Sequence, residues 1–113
     1  MVEVDLGKLL KKEFGSNVAS SEEEGAYILN ELRPQLEVAI GQNIPIVVNL
    51  TNVRGLTPDF IKASFGRFVE EKREKGESFT DKDFSRYIKL TFDDSHHPIM
   101  GRMMQNNISR FKP

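Results

Sequence analysis

Ile44-Pro45-Ile46-Val47-Val48-Asn49-Leu50 runs directly into Thr51-Asn52-Val53-Arg54-Gly55-Leu56, and that segment runs into Thr57-Pro58. Ile44 to Leu50 is apolar on both faces apart from Asn49, the pattern of a central parallel strand covered on two sides. Thr57 then places a side-chain cap directly before proline, the residue favoured at the first helical position. A strand, a loop and a helix start therefore follow one another within fifteen residues, 44–58. Loops of this kind, at the end of a central strand, are where α/β sheets present function.

Upstream, Ser21-Glu22-Glu23-Glu24 has the form of a capping box, in which Ser21 accepts from the Glu24 amide and the Glu24 carboxylate reaches back to the cap. The helix it opens carries Ile28, Leu29, Leu32, Leu36, Ala39 and Ile40 at three- and four-residue steps, a stripe for burial. Pro34 interrupts the stripe and predicts a kink or an early end, with Gly41 closing the segment. At the start of the chain, Val2 and Val4 alternate with Glu3 and Asp5 and predict a short edge strand. Leu6 to Phe14 reads as a turn or a short helix, because Gly7 and Gly15 work against a long one.

Downstream of Thr57, the positions Phe60, Ile61, Phe65, Phe68 and Val69 face inward, and Glu70-Glu71-Lys72-Arg73-Glu74-Lys75 reads as a mixed, solvated turn ending at Gly76. A polar connection follows, with a short helical turn at Thr80-Asp81-Lys82-Asp83, and Tyr87 to Phe92 alternates as a strand. Pro98 opens a last helix with Ile99, Met103, Met104, Ile108 and Phe111 on its apolar side. No linker or repeat divides the chain, so one domain spanning 1–113 is expected. Its class is α/β: a small sandwich with a mixed β-sheet of about four strands, helices packed on it, and at least one right-handed parallel crossover.

Composition narrows the function. With 113 residues, 38% hydrophobic and 29% charged, the chain has material for one core and a soluble exterior. Sixteen basic and 17 acidic side chains leave a formal net charge of -1, without the cationic field of a dedicated nucleic-acid binder. No run of about 18 apolar residues could cross a bilayer and Met1 to Gly15 lacks the apolar core of a secretory signal, so a cytoplasmic protein is expected. With no cysteine there is no thiol nucleophile and no thiolate metal site. His96 and His97 stand beside Asp93 and Asp94, but adjacent side chains on an irregular segment rarely converge on one ion, and no metal is expected there. The nucleophile-elbow motif and the glycine-rich phosphate loop are both missing, so neither an enzyme nor a cofactor is expected. Arg54, in the loop after the central strand, is the side chain best placed to meet an anion or an acidic partner.

Gly55 to Val69, with Ala63-Ser64-Phe65-Gly66 at its centre, resembles the signature of the bacterial STAS-like domain family, in which small polar residues precede S-F-L-x-E-A-F-G-x-L. Ser20 to Leu36 is similar to that family's S-x-E-E-G helix with its L-x-P-x-L ending, and Val47-Val48-Asn49-Leu50 is similar to its V-V-x-L strand. The resemblance covers roughly residues 1 to 92, with Phe65-Gly66 and the strand before them the most specific parts. It implies a relative of the anti-sigma-factor antagonists, which dock on a histidine-kinase-like ATPase or anti-sigma factor and perform no turnover. In that family the docking face includes the strand-to-helix loop, where a serine is phosphorylated and the added charge breaks the complex. Asp59 falls near that serine here, leaving Thr57 and Ser64 as the nearby hydroxyls a kinase could modify. The resemblance thus implies partner binding through Arg54, Thr57, Asp59 and Lys62. A second reading uses the same loop to sense a small ligand or nucleotide, with Arg54 and helix-start amides meeting an anion.

If Ile44 to Leu50 is a central strand, Val48→Asp buries an unpaired charge and costs several kcal/mol, enough to unfold a domain of this size. Denaturant unfolding checks this, and a cooperatively folded Val48→Asp protein would contradict the strand.

Overall fold

The computed structural model describes residues 3–91 together with Arg102 and Asn106. Its elements, in chain order, are β1 (Glu3–Asp5), α1 (Leu6–Phe14), β2 (Val18–Ala19), α2 (Glu22–Gln42), β3 (Ile46–Asn49), β4 (Gly55–Leu56), α3 (Pro58–Ile61), a π-helical turn (Lys62–Gly66), α4 (Arg67–Glu74), α5 (Asp81–Tyr87) and β5 (Ile88–Thr91). The α/β class therefore holds. β3 lies at the centre of a three-stranded sheet in the order β1-β3-β5, and Val4, Val48 and Leu90 stand in register across it.

The expected mixed sheet of about four strands is corrected: all described pairings are parallel, and β2 and β4 form a separate two-stranded sheet. After Leu50 the chain turns away to lie along residues 17–19, with the Arg54 amide donating to the Asn17 carbonyl at 3.0 Å and the Thr57 amide to Ala19 at 2.9 Å. Strands of two residues have no periodicity to read, which is why the sequence did not reveal them. Coverage of β3 is corrected too. Ile46 and Val48 are fully buried, whereas Val47 and Asn49 are half-buried on a face shared with exposed Glu3, Lys89 and Thr91. β1, β3 and β5 stand in chain order across the sheet, so crossovers of one hand send every connecting helix to the same side, and burial on one face alone fits that rule.

Of the turn or short helix expected over Leu6 to Phe14, the structure has the short helix, α1. The Asp5 carboxylate accepts from the Lys8 amide at 3.1 Å, and Gly15, at φ 73°, closes the last turn. Gly7 belongs to a close approach: a Cβ there would lie 2.6 Å from the Asn52 carbonyl oxygen. α2 begins with the expected capping box but continues through Pro34 to Gln42, and Asn43, at φ 57°, ends it in place of Gly41. An interior proline costs about 3 kcal/mol, yet Ile28, Leu29 and Leu32 before it and Leu36 and Ala39 after it are buried. Each large aliphatic side chain fully buried contributes about 1.5–3 kcal/mol, so packing on both sides outweighs the break.

The long helical segment after Thr57 is interrupted for a reason its sequence contains. Its buried residues Phe60, Ile61, Ser64, Phe65, Phe68, Val69 and Lys72 recur every four positions. Four residues of α-helix overshoot a full turn by about 40°, so this stripe drifts by about 80° over two repeats. One π turn absorbs an extra residue and sets the stripe back by about 100°. Phe65 and Phe68 then meet Phe84 and Phe79 edge-on, at ring-centroid distances of 5.5 and 5.8 Å.

The charged stretch from Glu70 to Lys75 is not a uniformly solvated turn, as its sequence implied. Lys72 is 4% exposed, with its ammonium 2.8 Å from Glu37, 3.5 Å from Glu77 and above the Phe68 ring. The Arg33 guanidinium meets Glu71 at 2.9 Å, a second tie between α2 and α4. α5 opens with a capping box formed by Thr80 and Asp83, and Ile88 starts β5 in the core. The expected residues Phe92, Asp93, Asp94, His96, His97 and Pro98 and the apolar positions of the last helix lie outside the described residues; Arg102 and Asn106 are helical. Among the described residues no helix is long and apolar enough to cross a membrane.

Two glycines of α2 give opposite expectations. A Cβ on Gly25 would stand 2.7 Å from the Phe60 carbonyl oxygen and 2.8 Å from the Ala63 Cβ, so Gly25→Ala should destabilise by about 1–3 kcal/mol. Gly41 has nothing within 4 Å, and Gly41→Ala should stabilise by about 0.5–1 kcal/mol. Chemical denaturation of both variants checks the pair.

Candidate functional site

The starts of α2 and α3 are tied together. The Thr57 hydroxyl donates to the Ser20 carbonyl at 2.8 Å while accepting from the Phe60 amide at 3.3 Å, so it caps α3 and fastens it to the residue before the α2 cap. Next to it, the Glu24 carboxylate accepts from the hydroxyl and amide of Ser21, at 2.8 and 2.9 Å, and from the hydroxyl and amide of Ser20, both at 3.2 Å. Burial raises the Glu24 pKa, but the hydrogen bonds from Ser21 and Ser20 outweigh it and hold the carboxyl below its ordinary 4.5.

On this base the structure places the predicted residues unequally. Asp59 and Lys62 are exposed and line a groove of about 320 Å³ between α2 and the α3–α4 segment. Small side chains, Ala26 and Ala63, also line it, together with Glu22, Arg67 and Glu70. Arg54 is exposed on the neighbouring loop and does not line the groove. Among the described residues the side chains of Arg54, Asp59 and Lys62 have no hydrogen-bonding or ionic partner. Thr57 has its hydroxyl engaged on both sides, as above. Ser64 is 1% exposed and its hydroxyl donates to the Phe60 carbonyl at 2.7 Å, so a kinase cannot reach it in this fold.

Glu22, Arg67 and Glu70 were not singled out from the sequence. Arg67 lies 3.2 Å from Glu74, 3.3 Å from Glu70 and 3.7 Å from Glu71. Glu74 above all, with Glu70 and Glu71, raises its pKa, because each carboxylate favours the charged guanidinium. The four-residue spacing of the buried stripe was the available signal, since it implies a helix whose outer face must be read in a shifted register. A second groove, of about 430 Å³, opens at the other end of α2, where Val38 and Ile44 are 55% and 47% exposed beside Pro34 and Pro45. Among the described residues no three His, Asp or Glu side chains are grouped to hold a metal.

Glu24 makes a pH prediction. Because its folded pKa is depressed, its contribution is fully present above the unfolded value and is lost as pH falls through the folded value. Wild type should therefore exceed Glu24→Gln in stability at pH 7, and the gap should close as pH drops from about 4.5 downward. Ser21→Ala should cost about 1 kcal/mol at pH 7. Urea unfolding of the three proteins between neutral and acid pH checks both.

Comparison of the chain with models of protein families, with curated proteins and with solved structures finds no match, so the likeness to STAS-like domains rests on the residues quoted above.

Proposed function

We propose that this chain is a non-enzymatic regulatory domain of STAS-like fold that docks on a protein partner through Arg54, the first turn of α3 and Lys62. A histidine-kinase-like ATPase or anti-sigma factor is the partner class that the resemblance favours. One observation carries the reading: Arg54, Asp59 and Lys62 are exposed and unpaired among the described residues, next to a helix start that Thr57 already caps. The fold does not need these charges where they stand, whereas an interface would use them for register and encounter rate.

The same site supports docking without a hydroxyl switch. Asp59 occupies the position near the family's phosphorylated serine, and its carboxylate is a standing negative charge. A phosphate on Thr57 would break the tie to the Ser20 carbonyl and loosen the junction of α2 and α3.

Tagged wild-type protein should capture one partner from its native host, and Arg54→Ala should weaken that capture about thirtyfold, as expected for a desolvated arginine pair worth 2 kcal/mol or more. Asp59→Ser should weaken capture as well, because it removes a carboxylate left unpaired on the docking face, with a melting temperature close to wild type. Full affinity in both folded variants would place the binding surface elsewhere. A nucleotide that raises stability by about 2.7 kcal/mol at 100 times its dissociation constant would replace docking with small-ligand sensing.

A further inference from the structure

The π turn is a costly way to build the segment that carries Asp59 and Lys62. A chain one residue shorter would hold Phe60, Ile61, Ser64, Phe65, Phe68, Val69 and Lys72 on one side of an unbroken α-helix, with better hydrogen-bond geometry. The core therefore does not require the extra residue. Where the turn begins, the packing is close: the Phe60 carbonyl oxygen and the Ala63 Cβ lie within 2.8 Å of where a Gly25 Cβ would be, and Ala63 stands beside Ala26 in the groove.

The charges around those alanines are unbalanced. Arg67 has Glu70, Glu71 and Glu74 within 3.7 Å, and Glu71 also meets Arg33 at 2.9 Å, so three carboxylates share two guanidiniums and one negative charge is left over. Glu22 and Asp59 have no partner among the described residues, and Lys62 is the remaining cation of the groove. A low, methyl-lined surface edged by unpaired carboxylates suits a side chain with an apolar stem and a cationic head.

We infer that the groove between α2 and the α3–α4 segment is the docking pocket for a basic side chain of the partner, an arginine or lysine, and that the π turn is kept to shape it. This inference deepens the docking reading and rests on it. The partner's aliphatic stem lies over Ala26 and Ala63, and its charge is shared by Asp59 and Glu22. Arg54, outside the groove, makes a separate contact.

The probe is an arginine-containing hexapeptide, titrated into isotopically labelled full-length protein, with a glutamate hexapeptide as control. Amide shifts should be centred on Ala26, Asp59 and Ala63, should shrink with added salt, and should be missing with the control. Glu22→Gln with Asp59→Asn should weaken the response about tenfold. Deleting Ala63 preserves every charge while removing the bulge, and this variant should melt no lower than wild type yet lose the localised response. Shifts spread over the whole acidic surface, no shifts, or an Ala63 deletion that unfolds or keeps the full response would each overturn the inference. Partner capture that depends on Arg54 and Asp59 without any groove response would overturn this inference alone. A groove response with partner capture indifferent to both residues would instead overturn the wider docking reading.

Discussion

The fold depends on the close junction between α2 and the segment that follows β3. Thr57 fastens the two helix starts through the Ser20 carbonyl, and Gly25 lets the Phe60 carbonyl approach a helix backbone to a distance that no Cβ would permit. With that approach made, Ile28, Leu32, Phe60, Ile61 and Phe65 bury themselves in one core, and Lys72 and Arg33 reach carboxylates across the same two helices. A larger residue at position 25 would push the helices apart and weaken the contacts that follow.

The proposed docking surface lies at the same junction, where two helix starts come together. Their first turns carry Glu22, Glu23, Glu24 and Asp59, and the caps use one of these carboxylates, Glu24, while the others stay exposed. Charges left over after capping, on a surface built by close backbone packing, are available to a partner at little cost to the fold. Exposed apolar surface gathers at the far end of α2, around Val38 and Ile44, so the two ends of one helix differ in chemistry.

The π turn shows how a sequence can carry a feature that standard periodicities conceal. Taken by themselves, Phe60, Ile61, Phe65, Phe68 and Val69 read as an ordinary inward face. Ile61, Phe65 and Val69 already step by four, but the row from Phe60 through Phe68 keeps that step only when Ser64 and Lys72 join it, and these two are polar. Ser64 is buried because its hydroxyl satisfies a backbone carbonyl within the segment, and Lys72 because Glu37 and Glu77 receive its ammonium. A hydropathy pattern excludes both residue types from the core, so it misses the stripe.

Local chemistry determined what the sequence alone made legible. Ser21 with Glu24, Thr57 with Pro58, and Thr80 with Asp83 announce helix starts because a cap is satisfied within four residues. The run 44–50 announces the central strand through Ile46, Val48 and Leu50, whose burial demands apolar side chains whatever packs against them, although Ile44 is exposed and Val47 half-buried. The tertiary structure decided what depends on distant partners. Pro34 is tolerated because packing on both sides holds the helix, and Gly7 and Gly25 are contact points because Asn52 and Phe60 come to meet them. Asp59 and Lys62 share a groove with Glu22 and Arg67 while Arg54 stands apart, although Arg54 is nearer to Asp59 in sequence than Glu22 or Arg67. Spacing along one chain specifies neighbours only within a helix or strand. Which side chains of different elements meet is set by how those elements pack, and here that is set by the glycine contact and the hydroxyl tie between α2 and α3.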